Sequence, residues 1–374
     1  MSKGFHRFLS ISAWVILSLL VLLCTSWRSS PDRESALRGS PEGGVPRGAG
    51  GSFLPARDAV QWGLAAIRAP AAWRVTSGSA EVVVAVIDSG IDYSIPELAA
   101  VMWRNPGEIP GNGIDDDGNG YVDDVHGWDF RDDDPSSLEG TPIYWHGTFV
   151  AGLVAATYNP LFRTGGVAPG VRIMDLRFLD SRGLFYTRDW EKLIRAIDYA
   201  VENGARIINL SIYSRVIPPA GVRRALQRAV EAGVLVVGIA GNTGARVGYF
   251  GRWPEVVAVG AVDEGGRVAA FSNRGPEVAL VGPGVGVVSQ GPDGFPKTAS
   301  GTSFAAPHVA GVAALLLSIR PDLSPAELLG FLRATAKDLG EPGEDQGAGA
   351  GLVDAAAAVE AVRASLEKGE LFSK

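Results

Sequence analysis

The sequence predicts an α/β fold in which a mostly parallel central sheet is covered by helices on both faces. Two observations carry this. Short apolar runs rich in β-branched residues alternate with segments whose apolar residues recur at helical spacing, the order that builds parallel strands joined by crossover helices. Asp88 and Asn242 stand at or just past the ends of two of those runs, where such sheets gather their functional groups. Composition agrees, since 374 residues at 46% apolar and 20% charged suffice for one large domain with a sizeable core.

At the head of the chain, Lys3, His6 and Arg7 precede an apolar run at 11–23, the order of a secretory signal. A buried core helix would have the same composition, but the position and the polar stretch that follows favour export. The run is short for a membrane span and its cleavage site is poorly marked, so residues 1–27 are read as a signal peptide or an N-terminal membrane anchor. Cys24, the only cysteine, follows Val-Leu-Leu, a weak context for lipid attachment, and it leaves the chain without an internal disulfide. Residues 28–57, rich in Gly, Pro, Ser and Arg, read as a flexible tether.

Ordered pattern begins at Asp58 and runs to 363, with residues 364–374 left as a C-terminal tail. Val82-Val-Val-Ala-Val-Ile-Asp88 is the first strand, and 171–179, 206–212, 234–240 and 256–262 are further ones. Thr187 is expected to cap a helix carrying Trp190, Leu193, Ile194, Ile197 and Val201, closed by Asn203-Gly204. A second helix near 221–231 presents Arg223, Arg224 and Arg228 as a solvated face. His146-Gly-Thr-Phe-Val-Ala-Gly152 opens a helix of small residues, and Gly301-Thr-Ser303 opens a buried one that continues to 319.

Charge is concentrated in one insertion, 108–134, where ten acids and one arginine leave the rest of the chain at +2. No basic stripe with interleaved aromatics is present, so nucleic acid is not an expected partner.

Ser303 can be read in two ways. Ser before an apolar helix is commonly a cap, yet at a helix mouth the free N–H groups also favour a nucleophile, with Gly301 expected to let the backbone bend sharply. A serine hydroxyl needs a base and an orienting acid. Of the four histidines, His6 belongs to the leader, and His126 lies in the acidic insertion as an expected surface residue. His308, five residues past Ser303, points about 140° away around the helix axis, which suits packing or a hydrogen bond. His146 remains. Asp88-Ser-Gly, His146-Gly-Thr and Gly301-Thr-Ser303, in that order, resemble the subtilisin-like serine proteases, whose triad has this chain order.

The resemblance covers about 58–363 and implies a subtilisin-like three-layer fold and a serine endopeptidase. It assigns the nucleophile to Ser303, the general base to His146, its orienting carboxylate to Asp88 and the oxyanion donor to Asn242. A plain turn is the other reading of Gly-Asn-Thr-Gly at 241–244. The family docks its peptide between two segments, here Ser211-Ile212-Tyr213 and Ala240-Gly241. Tyr213 stands where glycine is usual, so specificity is expected to differ. Phe149 replaces a second histidine found in many members, and the stretch Val281-Gly-Pro-Gly has glycine where alanine usually precedes Pro-Gly. The tether is too short for a folded inhibitory segment. A catalytically silent or partner-restricted peptide-binding protein on the same fold is the alternative.

Within the insertion, Asp115, Asp117, Asn119, Tyr121 and Asp123 alternate around a glycine as in the first half of an EF-hand loop, which points to structural calcium, with Asp124 or Asp129 closing the shell. A solvated acidic loop is the other reading. By resemblance a second calcium site falls near Asp58, Glu97 and Asn159. The expected partners are protein or peptide substrates and, through the N-terminal segment, a membrane. The chain is expected to be secreted or membrane-anchored outside the cytoplasm, and to act as a monomer.

Overall fold

The computed structural model describes residues 61–291, 293–340 and 342–372. The leader at 1–27 with Cys24, the tether at 28–57, and Asp58 lie outside the described residues.

One sheet has seven strands: β1 (Val83–Asp88), β2 (Gly127–Asp129), β3 (Arg172–Arg177), β4 (Ile207–Leu210), β5 (Leu235–Ile239), β6 (Val256–Val262) and β7 (Val278–Pro283). Their spatial order is β2-β3-β1-β4-β5-β6-β7, and every neighbouring pair is parallel. An antiparallel hairpin, β8 (Val287–Gln290) and β9 (Pro296–Ala299), forms a second small sheet. The longer described helices are α1 (Trp145–Ala155), α2 (Trp190–Glu202), α3 (Ala220–Glu231), α4 (Thr302–Ile319), α5 (Pro325–Ala334) and α6 (Ala355–Phe372).

Side chains alternate across a strand, and β1 uses both faces. Val84 and Val86 join one buried core with α1 and α4, while Val83, Ala85 and Ile87 join another with α2 and α3. This is the three-layer arrangement that the sequence predicts. α2 buries Trp190, Leu193, Ala196 and Ile197 on one face, as its spacing requires. α1 and α4 are apolar all round and accordingly buried all round. α4 is long and apolar enough to cross a membrane, but 89% of it is buried inside the protein.

Several expectations need correction. Thr187 does not cap α2, because residues 187–189 form a 3₁₀ turn ahead of it. Asp189 stands at the helix start instead, accepting the Tyr186 N–H at 2.7 Å and pairing with Arg131 at 2.9 Å. α6 runs to Phe372, so the expected tail boundary at 363 falls within a helix. β2, β7, the hairpin and α5 were not anticipated, although Ser324-Pro-Ala-Glu327 is a legible capping box: Ser324 N–H donates to Glu327 Oε2 at 2.9 Å and Ser324 Oγ accepts from Glu327 N–H at 3.3 Å. At the start of the described chain, Gln61 donates to the Gly165 and Val288 carbonyls at 3.0 and 2.9 Å and accepts from the Gly165 N–H at 2.8 Å.

Candidate active site

β1 ends at Asp88, and the turn that follows ties it to the start of α1. Ser89 Oγ donates to the Tyr144 carbonyl at 2.8 Å and accepts from the Gly147 N–H at 3.0 Å. A Cβ at Gly147 would collide with the Gly90 carbonyl and lie 3.2 Å from Asp88 Cβ, so only glycine lets helix and turn approach this closely. The result is a fixed pair: His146 Nδ1 lies 2.8 and 2.9 Å from the two Asp88 oxygens, with both side chains buried. Donation from Nδ1 leaves Nε2 as the basic nitrogen of the neutral ring.

Ser303 is the second residue of α4, and the residue flanking that helix is Gly301, so the cap reading of Ser303 falls. Gly301 does not bend sharply either; with φ 162° its backbone is extended. Pro307 sits inside α4 and lacks the N–H that would bond the Ser303 carbonyl. Ser211 Oγ takes that carbonyl at 3.0 Å and is itself held by Asn209 Nδ2 at 2.9 Å. Phe304 packs on the His146 ring at 5.3 Å and on Phe149 at 4.7 Å, which brings α1 and the first turn of α4 side by side. Phe149 therefore serves the packing between these helices.

Asn242 lies beyond β5. Its Oδ1 accepts from both the N–H and the hydroxyl of Thr302 at 2.8 Å, and that hydroxyl accepts from the Gly241 N–H at 3.2 Å. With Oδ1 so engaged by the residue that precedes Ser303, Nδ2 is the end of the amide left to donate. Asn273 fastens the same loop, donating to the Ala240 carbonyl at 3.1 Å and accepting from Thr243 and Ala245 N–H at 2.9 and 3.1 Å. Sequence reasoning gave Asn273 no role, since nothing in the chain links it to a loop about thirty residues earlier. An orienting carboxylate, an imidazole, a hydroxyl at a helix mouth and an amide donor together suit acyl transfer.

The Subtilase family model matches residues 79–351, more than half of the chain. The chain belongs to the subtilase family. It is 34% identical to subtilisin DY of Bacillus licheniformis over 292 residues, covering 75% of this chain and 93% of that protein. Identity to the thermophilic serine proteinase of Bacillus sp. (strain AK1) is 38% over 248 residues, 66% of this chain and 55% of that one. M-protease of Shouchella clausii is 34% identical over 300 residues, 80% of this chain and 70% of its own. Like the subtilases it matches, the protein is a serine endopeptidase acting on protein or peptide substrates.

The two segments expected to flank a subtilase substrate follow the adjacent strands β4 and β5. Ser211 is committed to the Ser303 carbonyl, Ile212 is buried and Tyr213 is half-buried. Ala240 and Gly241 have their backbone groups engaged internally: the Ala240 N–H with Val259, its carbonyl with Gly248, the Gly241 N–H with Thr302 and its carbonyl with Asn273. They supply a wall rather than an open edge for strand addition.

His308 behaves as expected, with Nδ1 2.7 Å from the Phe304 carbonyl. Burial holds its imidazole neutral, lowering its pKa from 6.5 to about 4. His126 is not a plain surface residue; it is half-buried with Nδ1 2.7 Å from the Trp103 carbonyl.

Beneath the turn after Asp88 lies Asp175 of β3, whose Oδ2 accepts the Ile91 N–H at 3.3 Å. Burial pushes its carboxyl from 3.8 up to about 7, against opposing hydrogen bonds from Ser137 and Ile91. Between those values the native state holds a proton that the unfolded chain has lost, so stability falls as pH rises through the window. Asp175→Asn, which stays neutral, is expected to raise the Tm relative to wild type more at pH 8 than at pH 5. Thermal unfolding at the two pH values checks this, and an equal difference at both would refute it.

In the acidic insertion, oxygens of Glu108, Asp115 and Asp117 lie within 4.8 Å of one another. Oxygens around one calcium at about 2.4 Å span just such a distance. The donor set is hard and anionic, so the group fits a divalent cation. Glu108 was missed because it lies seven residues ahead of the loop pattern. Asn119 donates to Asp117 at 3.1 Å. Asp123 is not part of that group, and Tyr121, at the seventh loop position, would offer its backbone carbonyl. The Asp123 carboxylate accepts the N–H groups of Gly111, Asn112 and Gly113, and the Tyr121 ring packs on Trp128, Phe130 and Tyr199. Asp129 does not close the shell, because it pairs with buried Arg177 at 2.8 Å. Asp124 accepts from Asn105, Asn119 and Tyr199. Of the second expected site, Glu97 and Asn159 meet through a side-chain hydrogen bond.

Proposed function

We propose that the endopeptidase works through an acyl-enzyme on Ser303. Ser303 Oγ attacks the peptide carbonyl and passes its proton to His146 Nε2. Asp88 fixes the ring and stabilises the imidazolium, while the Ser303 N–H and Asn242 Nδ2 receive the oxyanion. As the C–N bond breaks, His146 returns the proton to the leaving amine. Water then adds to the ester carbonyl as His146 takes its proton, and the intermediate collapses by expelling Ser303 Oγ, which recovers that proton from His146. The observation that carries this is the buried His146–Asp88 pair, set by β1 and α1 against the first turn of α4.

The peptide lies along Ser211, Ile212 and Tyr213, with Ala240 and Gly241 as the opposite wall. Glu108, Asp115 and Asp117 hold a calcium ion, with Asn119 beside it, and the ion's charge offsets the mutual repulsion of the insertion. Residues 1–27 direct the enzyme out of the cytoplasm or tether it to the membrane.

Labelling of the full chain with a small alkyl fluorophosphonate, with and without a calcium chelator, tests this reading. Wild type is expected to label and Ser303→Ala is not, and chelator is expected to reduce labelling as the insertion loosens. A folded wild type that takes no label would sink the acyl-enzyme mechanism and leave a silent peptide-binding protein. Labelling and a Tm both indifferent to chelator would remove calcium alone.

A further inference from the structure

The cleft beside Asn242 holds a side chain of its own. Gly241 and Gly248 are brought together because the Gly248 N–H bonds the Ala240 carbonyl at 2.9 Å, closing the loop between them. The ring edge of Tyr213, from the opposite segment, lies against both. A Cβ built on Gly241 would stand 2.7 Å from Tyr213 Cε2, and one on Gly248 would stand 2.7 Å from the same atom. The two missing side chains therefore make room for this ring.

The position of the ring matters because of where a substrate must sit. A carbonyl attacked by Ser303 places its oxygen between the Ser303 N–H and Asn242 Nδ2. The side chain on the same residue then enters the gap between 211–214 and 240–248. The two glycines leave space on one wall of that gap, and the Tyr213 ring occupies it. We infer that Tyr213 is a specificity-determining residue that restricts cleavage to peptide bonds following small residues, glycine, alanine or serine. This rests on the acyl-enzyme reading above and names its substrate class.

The test uses the full-length enzyme and pairs of peptide p-nitroanilides identical except for Ala or Phe at the residue that supplies the attacked carbonyl. Wild type is expected to favour Ala over Phe by at least about tenfold in kcat/KM, since even one methylene too many in a tight pocket costs that much. Tyr213→Gly is expected to move the ratio toward Phe by at least about tenfold, and Tyr213→Phe, which keeps the ring, to leave it in place. Fluorophosphonate labelling of each variant shows whether Ser303 is assembled. A wild type that favours Phe overturns the inference without need of any variant, as does a Tyr213→Gly enzyme that labels yet keeps the wild-type ratio. If wild type itself takes no label, the protease mechanism fails and this inference falls with it.

Discussion

Replacing Ser303 or His146 with alanine is expected to lower kcat by about 10⁶-fold in either case, and the double replacement by no more than either single one, the size and non-additivity known for these groups in subtilisin. The geometry gives the reason. Asp88 holds His146 by Nδ1 with both side chains buried, which on the proposed mechanism leaves the ring's other nitrogen for the proton of Ser303. Without the serine there is no proton to take, and without the ring the hydroxyl stays near its weakly nucleophilic free state. Rates on a peptide p-nitroanilide, corrected for traces of contaminating protease, decide the matter. A His146→Ala enzyme within tenfold of wild type would show that another group is the base.

The second large effect is at Asn242. Asn242→Ala is expected to lower kcat by about 10²–10³, as loss of the corresponding donor does in subtilisin, with KM little changed. The split follows from what the amide meets. A ground-state carbonyl gains little from it, whereas the oxyanion takes a full hydrogen bond. Thr302→Val tests the same point from behind, because it removes the hydroxyl that holds Asn242 Oδ1 and leaves the N–H in place. It is expected to give an intermediate loss in kcat. A rise in KM at constant kcat in Asn242→Ala would assign the amide to substrate binding instead.

The candidate catalytic groups were legible because each sits in a short motif with a local reason for its residues. Gly147 is needed where α1 meets the turn after β1, and small residues follow Ser303 where α4 enters the core. Periodicity likewise gave β1, β3 to β6 and α2. What stayed hidden depends on residues distant in sequence. Glu108 enters its acidic group from outside the loop pattern, and Asn273 acts on a loop formed by another strand. Tyr213 was visible as a departure from glycine, but its placement against Gly248 follows from a loop closure that no local pattern announces. β2 was obscured because its buried Trp128 lies among carboxylates that dominate the insertion's composition. β7 ends in Gly282-Pro283, which reads more readily as a turn.

The wholly parallel sheet also bears on how long a molecule lasts. β1 pairs on one side with β3, at Val83 and Arg172, and on the other with β4, at Val84 and Ile207. Each such pairing closes a long loop before any contact rewards it, so assembly is slow. A high barrier met from the native side makes opening rare as well. For an enzyme that digests polypeptide, every opened copy is food for its neighbours. Where cutting outpaces reclosing, survival follows the rate of opening rather than the equilibrium between open and closed forms. Changes that slow the separation of β1 from its neighbours would then lengthen working life even if they left equilibrium stability unaltered.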